Sequence, residues 1–84
     1  MKEIKMTPVV SSQIKSAGYD YEEQKLYVEF KNGKVYQYSN VPENIYDNLI
    51  KAPSPGSYFN TAIRGIYDYL SLNIFVSVNT LEIE

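Results

Sequence analysis

The 84-residue sequence contains no cysteine, no histidine and no tryptophan. The lack of cysteine excludes a disulfide framework and any thiolate metal site. Because histidine is missing too, the chain lacks the usual general base near neutral pH, the usual activated nucleophile and the best transition-metal ligands. We therefore predict that the chain is not an enzyme and that it holds neither a metal nor a cofactor.

Long apolar runs and basic clusters are also scarce. No stretch approaches the roughly 20 apolar residues of a membrane helix, and the N-terminal residues lack the apolar core of a signal peptide. We therefore expect a cytoplasmic location and no membrane contact. Eight basic residues stand against ten acidic ones, for a formal net charge of -2. Since long nucleic acids are bound largely by neutralising their phosphates, this balance favours a compact ligand with few phosphates.

Tyrosine, in contrast, is abundant, with nine residues against three phenylalanines. Tyrosine is common in β-strands for reasons of packing alone. It is also common where a surface stacks on nucleic-acid bases or meets another protein. The position of each ring in the fold therefore decides what the tyrosines can do.

The clearest local pattern is a β-hairpin. Residues alternate between apolar and polar over Leu26–Phe30 and again over Val35–Tyr38, with Asn32-Gly33 between them. Asn-Gly favours a two-residue type I′ turn, because both of its positions need positive φ. That turn would set the register of the hairpin and place Tyr27 opposite Tyr38.

This register assigns each side chain to one of two faces. The first face would carry the apolar side chains of Leu26, Val28, Phe30 and Val35 and would form the core. The second would carry Tyr27, Glu29, Lys31, Lys34, Tyr36 and Tyr38. Stacking a base on an exposed aromatic ring contributes about 1–3 kcal/mol, so the three tyrosines predict a ligand surface. The alternative is that the C-terminal strand or a second subunit covers this face.

Further elements flank the hairpin. Residues 12–19 are predicted to form a strand with a bulge at Gly18. Pro42 suits the first position of a helix that would run to about Lys51, and Ser54-Pro55 has the pattern of a second helix start. Residues 70–84 alternate over a long stretch, as one strand or as a strand with a return near Asn79-Thr80.

These elements predict an α+β fold. It would consist of a three-stranded antiparallel β-meander, two short α-helices packed on one face of it, and a C-terminal β-strand extension. We expect a flexible N-terminal lead over residues 1–8, a domain over residues 9–69 and the extension over residues 70–84. An apolar strand at a chain end is a natural pairing edge, so we expect a homo-oligomer through the C-terminal strand.

A second candidate site lies at the start of the second helix. Free N–H groups and the helix dipole favour an anion there. Ser57, Asn60 and Arg64 lie on the polar flank of that helix, and Arg64 is the only arginine of the chain. A guanidinium group suits phosphate, although ordinary capping with a surface arginine explains the same pattern. Ser12, before the first strand, could complete a polar pocket, or could serve only in a turn.

Several of these short motifs occur together in one known family. They are Ser11-Ser12, Gly18-Tyr19-Asp20, Asn32-Gly33, Val35-Tyr36-x-Tyr38, Val41-Pro42, Ser54-x-Gly56-x-Tyr58-Phe59-Asn60 and Ile63-Arg64. Over about residues 8–69 the chain resembles the KTSC domain. That domain is found at the C-terminus of some lysyl-tRNA synthetases and also as free-standing bacterial and phage proteins. The resemblance implies a small module for which RNA binding has been proposed by context. It does not extend over residues 70–84.

We therefore expect a non-catalytic binding module for a nucleotide-type ligand. Tyr27, Tyr36 and Tyr38 would stack the base, while Ser57, Asn60 and Arg64, with Ser12, would form the polar part of the site. A free-standing bacterial or phage protein of this kind could sequester a signalling nucleotide and so act as an anti-defence sponge. The alternatives are a module that binds short RNA and a protein-interaction module that assembles into a homo-oligomer.

Overall fold

A computed structural model describes residues 2–83 and contains seven strands and two helices among them. The strands are β1 (Lys2–Lys5), β2 (Thr7–Pro8), β3 (Ile14–Asp20), β4 (Lys25–Phe30), β5 (Val35–Tyr38), β6 (Tyr69–Leu72) and β7 (Thr80–Ile83). The helices are α1 (Glu43–Lys51) and α2 (Pro55–Ala62). The α+β class is confirmed, and the meander is present as β3-β4-β5. The predicted strand number is too small, because the meander lies inside a five-stranded antiparallel sheet of order β2-β3-β4-β5-β6.

The predicted hairpin register is wrong by one residue. Tyr27 pairs with Gln37 rather than with Tyr38, and Glu29 pairs with Val35. The loop contains three residues, because the Phe30 N–H donates to the Lys34 carbonyl at 2.9 Å. Gly33, with φ of +91°, takes the left-handed position that closes such a loop. The shift moves every side chain of β5 to the other face.

The first core lies between the sheet and the two helices. The shifted register places Tyr36 and Tyr38 on this face, beside Leu26, Val28 and Phe30 of β4. The helices contribute Tyr46, Leu49 and Phe59, and Ile63, directly after α2, packs with them. Both helices therefore pack on one face of the sheet, as predicted. Pro55 is the first residue of α2, as predicted, whereas Pro42, predicted as the first residue of α1, is its N-cap, one position before Glu43.

The second core lies on the opposite face, for which the sequence left open an exposed tyrosine surface or a cover by the C-terminal strand or a second subunit. Tyr27 and Val35 of the sheet are buried there against Ile4, Met6 and Leu81. The cover is a two-stranded ribbon in which β1 pairs with β7, Lys2 opposite Ile83. We call this element the terminal ribbon, because it joins residues from both ends of the chain.

The terminal ribbon corrects two predictions. The segment expected to be a flexible lead forms β1 and β2, and the segment expected to be one extension forms β6 and β7 on two different sheets. Met1 and Glu84, the outer ends of these segments, lie outside the described residues. The return predicted near Asn79-Thr80 is present as a tight turn at Val78-Asn79, where both residues have positive φ.

The predicted bulge at Gly18 is also wrong. Gly18 pairs regularly with Tyr27, and the irregularity in β3 lies between Ile14 and Ser16. Gly18 instead serves close packing, since a Cβ on it would lie 2.6 Å from Met6 Sδ and 2.7 Å from the carbonyl oxygen of Lys5. The missing side chain therefore lets the terminal ribbon approach the sheet. Neither α1 nor α2, the helices found in residues 2–83, has the length and apolar character that crossing a membrane requires.

Candidate functional site: an aromatic pocket beside Arg64

Five aromatic rings form a closed circuit at one corner of the helix-covered face. Their centroids lie 5.3 Å apart from Phe30 to Tyr36, 5.4 Å from Tyr36 to Tyr69, and 5.7 Å from Tyr69 to Tyr38. The circuit closes through Phe59, 5.7 Å from Tyr38 and 5.4 Å from Phe30. All five separations lie in the range of favourable aromatic contacts. The rings come from β4, β5, β6 and α2, so the fold positions them from four elements.

These rings line a cavity of about 340 Å³ together with Arg64 and Gly65. We call it the aromatic pocket. Its volume falls in the range of small-ligand sites, which are mostly apolar with few polar groups. Gly65 follows α2 with φ of +78°, and a Cβ on it would meet no atom within 4 Å. The cavity is therefore open beside Gly65, and the neighbouring Arg64 side chain is exposed.

The charge state of the pocket follows from Tyr38. Burial raises the pKa of the Tyr38 phenol, the neighbouring Tyr36 raises it further, and the Arg64 guanidinium opposes both, with a result of about 12. The phenol is therefore neutral near pH 7 and serves as a hydrogen-bond donor or acceptor rather than as a base. Arg64 supplies the positive charge of the pocket.

The structure brings together four of the predicted site residues. Tyr36, Tyr38 and Arg64 line the aromatic pocket. Asn60 lies one turn before Arg64 and its Oδ1 accepts a hydrogen bond of 3.4 Å from Arg64 Nη1. This contact holds the guanidinium beside α2 while most of its N–H groups stay free for a ligand. The tyrosine pair and the arginine, which come from different elements of the chain, therefore line one cavity.

The surface of three tyrosines on one face does not exist. Tyr27 lies on the other face of the sheet, is only 2 % exposed, and accepts a hydrogen bond of 2.9 Å from Gln37 Nε2 to its hydroxyl. The cause is the one-residue shift of the hairpin, which separates Tyr27 from Tyr36 and Tyr38. Tyr27 supports the second core and cannot reach the aromatic pocket.

Ser57 and Ser12 also lie away from the pocket. Ser57 is at the start of α2, where its Oγ accepts a hydrogen bond of 3.1 Å from Ser54 Oγ. Ser57 lies about two turns before Arg64 and does not line the aromatic pocket. Ser12 is exposed in the loop before β3. Its neighbour Ser11 has the structural role, since Ser11 Oγ accepts from the N–H groups of Gln13 and Ile14.

Four pocket residues were not predicted as site residues. Phe30 was assigned to the aliphatic core face and Tyr69 to the end of the domain, while Phe59 and Gly65 were given no part in a ligand site. A three-residue loop at Asn32-Gly33 would have placed Phe30 and Tyr36 on one face, so the alternative loop length was the available signal. Tyr69 gave no local signal, because it reaches the pocket through the pairing of β6 with β5, which brings together residues distant in sequence.

A second cavity, of about 410 Å³, lies on the ribbon side of the sheet. Its polar lining includes Lys2, Asp20 and Glu23. These charges are already paired, because Lys2 Nζ lies 2.9 Å from Asp20 and Lys25 Nζ, also in the lining, lies 3.7 Å from Glu23. Within residues 2–83, no cluster of acidic side chains is placed to hold a metal ion. The aromatic pocket is therefore the better candidate for a ligand.

Comparison with known proteins places this geometry in a family. The profile of the KTSC domain matches residues 10–67. A protein of Tsukamurella paurometabola is 42 % identical over 59 residues, which cover 70 % of this chain and 88 % of that protein. A lysine–tRNA ligase of Nostoc punctiforme is 39 % identical over 62 residues, which cover 74 % of this chain and 11 % of the ligase.

A solved structure agrees with these sequence matches. The crystal structure of a KTSC domain protein from Yersinia pestis superposes with a TM-score of 0.79 at 35 % identity, covering 82 % of this chain and 97 % of that one. The resemblance seen in the sequence motifs is thus confirmed by sequence and by fold. The chain belongs to the KTSC domain family.

Proposed function

We propose that this domain binds a nucleotide-type ligand, with a base inserted in the aromatic pocket and a phosphate group on Arg64. The observation that carries the proposal is the position of Arg64, the only arginine of the chain, at the open side of a pocket walled by five rings. Aromatic rings stack on bases with little dependence on sequence. A guanidinium group offers a planar pair of N–H donors to phosphate.

Two further features support a ligand that combines a ring with negative charge. A cationic ligand, which aromatic rings alone would attract, meets a like charge at Arg64. A purely apolar ligand would leave the guanidinium without a negatively charged partner. A base joined to a phosphate satisfies both parts of the lining, and the neutral Tyr38 hydroxyl can hydrogen-bond to polar atoms of the base.

The pocket lies largely within the part of the chain that is common to the family. Six of its seven lining residues, all except Tyr69, fall between residues 10 and 67. The proposal concerns binding and not turnover, because the phenol of Tyr38, with its pKa near 12, is a poor base at neutral pH. Binding without turnover would lower the free concentration of the nucleotide. For a signalling nucleotide, this effect is sequestration.

The test compares nucleoside monophosphates with the matching nucleosides by isothermal titration calorimetry. Loss of a hydrogen-bonded charge costs about 1.5–3 kcal/mol, so Arg64→Ala should weaken monophosphate binding by roughly ten- to a hundredfold. The same substitution should leave nucleoside binding nearly unchanged. Lys51→Ala is the matched control, because Lys51 is an exposed cation at the end of α1 and does not line the pocket. Binding that survives Arg64→Ala would contradict the phosphate assignment.

Short RNA is the second candidate, favoured by the matches to proteins named lysine–tRNA ligase. One unstacked base could enter the same pocket while neighbouring phosphates meet Arg64 and two exposed lysines, Lys31 in the hairpin loop and Lys34 directly after it. Salt separates the two candidates. RNA binding through several phosphates should weaken steeply as salt rises, whereas binding of a mononucleotide should change little. Equal affinity for a mononucleotide and for RNA at all salt concentrations would count against the RNA candidate.

A further inference from the structure

The five-stranded sheet has two edges of very different character. At one edge β2 is only two residues long and ends in Pro8, which has no N–H to offer a further strand. At the other edge β6 has the sequence Tyr-Leu-Ser-Leu, without proline and without charge. The strands of the terminal ribbon also carry charges, such as Glu3 of β1 and Glu82 of β7. Short length, proline and charge protect sheet edges from pairing with other chains, and among the described strands that form an edge β6 alone lacks all three.

The hydrogen-bond pattern shows which groups of β6 are free. The Ser39 N–H donates to the Asp68 carbonyl at 3.0 Å, so these two residues form a hydrogen-bonded pair. Hydrogen-bonded and non-hydrogen-bonded pairs alternate along an antiparallel ladder. The next hydrogen-bonded pairs are therefore Gln37 with Leu70 and Val35 with Leu72. Tyr69 and Ser71 consequently direct their backbone N–H and C=O groups away from β5, toward the open edge.

The free backbone groups of β6 are complementary to those of a second, antiparallel β6 strand. In an antiparallel pair of two β6 strands, Tyr69 of one copy would lie opposite Ser71 of the other, and their free groups would form about four backbone hydrogen bonds. Leu70 would face Leu70 of the second copy at the two-fold axis, in a non-hydrogen-bonded pair where side chains are closest. Leu70 is 61 % exposed in the single chain, so this contact would bury apolar surface that is now in water.

We infer that two copies of this chain associate through β6, forming a continuous ten-stranded sheet across a two-fold axis. Tyr69 and Ser71 point to the same face of the sheet as Tyr36, on which the aromatic pocket opens. Association therefore places the Ser71 hydroxyl of the second copy beside Tyr69, at the mouth of the pocket. The two pockets of the dimer lie on one face and are adjacent. The association itself does not depend on the identity of any ligand.

Sedimentation equilibrium of the full chain, without ligand, tests this inference. The wild-type mass should rise from 9.7 kDa toward twice that value as the concentration increases from the low micromolar range. Leu70→Lys should abolish the rise, because two ammonium groups would face each other at the axis. Val10→Lys is the matched control, since Val10 is an apolar residue that is 93 % exposed in the segment between β2 and β3, beside the protected edge. It should associate like the wild type.

A second variant guards against an effect of Leu70→Lys on folding. Ser71→Pro removes an N–H that faces the open edge and not β5, so the sheet of the single chain keeps its hydrogen bonds. This variant should be monomeric with a native circular dichroism spectrum. A wild-type mass of one chain up to the solubility limit would overturn the inference. So would a dimer that both edge variants retain, since that dimer would use another surface.

Discussion

Gly18 lies directly beneath Met6, where the terminal ribbon crosses the sheet, and the approach leaves no room for a side chain. A Cβ on Gly18 would come within 2.6 Å of Met6 Sδ, 2.7 Å of the Lys5 carbonyl oxygen and 2.8 Å of Ile4 Cγ2. Real Cβ contacts are longer than this, so the ribbon would have to move. The second core, which buries Tyr27 and Leu81, depends on that close approach.

Gly18→Ala should therefore destabilise the fold by about 1–3 kcal/mol, as overpacking of a core does. Urea unfolding followed by circular dichroism measures the change. Combining it with Met6→Ala should not restore stability, because the backbone oxygen of Lys5 would still collide with the new methyl group. Full recovery in the double variant would show that the ribbon is not held as close to the sheet as described.

The ribbon is also tied to the sheet by charge, through Lys2 and Asp20 at 2.9 Å. Burial acts to raise the pKa of Asp20, but hydrogen bonds from the Lys2 ammonium and from the N–H groups of Glu23 and Glu22 outweigh it and lower the pKa below 3.8. A lowered pKa in the folded state adds stability above the unfolded pKa, and that stability is lost as the pH falls.

Asp20→Asn should thus destabilise the protein at neutral pH, and the difference from wild type should shrink as the pH falls below about 4. Urea midpoints of both proteins between neutral pH and pH 3 provide the comparison. A difference that stays constant over this range would mean that the carboxylate charge of Asp20 does not contribute to stability.

The turn between Ser77 and Thr80 contains a strained residue. Val78 has φ of +50° and Asn79 has φ of +60°, and positive φ is a true outlier for a β-branched side chain. Asparagine tolerates this region, so Val78→Asn should stabilise the fold by about 1 kcal/mol. Thermal unfolding measures the gain. Val10→Asn, at an equally exposed valine, should change stability by less than about 0.5 kcal/mol, and an equal gain there would point to lost surface apolarity instead of relieved strain.

The buried phenol of Tyr38 should make the stability of the fold depend on pH in the alkaline range. Its pKa is raised from 10.0 to about 12, so its contribution to stability is complete below pH 10 and is lost as the pH rises toward 12. The pKa values of Tyr19 and Tyr21 are raised as well, chiefly by burial, and all three add to the alkaline loss of wild-type stability. Tyr38→Phe should lose less stability over this interval than the wild type, measured by urea unfolding at stepwise higher pH. Parallel curves for the two proteins would place the Tyr38 phenol in a more exposed setting.

Much of the fold could be predicted from local patterns. The starts of both helices follow from Pro42 and Ser54-Pro55, and the three strands of the meander follow from alternation of apolar residues. These signals are local, because a proline or a cap acts within one turn of the chain. The terminal ribbon has no such local signal, because β1 and β7 pair although they lie at opposite ends of the chain.

The site was harder to predict, because one turn decided which rings meet. Asn32-Gly33 fits a two-residue type I′ turn and equally a three-residue loop that ends in a left-handed glycine. The prediction of the two-residue turn rested on the preference of Asn-Gly for it, and the resulting register gives one aliphatic face that fits a single core. Both faces are covered, one by the helices and one by the terminal ribbon, so the aliphatic and aromatic patterns could not identify the core side. The I′-like backbone with two positive φ values occurs instead at Val78-Asn79, a pair with no glycine.

The central claim is that a base and its phosphate occupy the aromatic pocket beside Arg64, and amide chemical-shift mapping by ¹H–¹⁵N NMR tests it most directly. Titration with a nucleoside monophosphate should shift the signals of Tyr36, Gly65 and Tyr69 in a saturable manner, while Gly18 and Ser57 stay in place. Saturable shifts centred on Gly18 or on Ser57, or no saturable shift with any of the common monophosphates, would contradict the account.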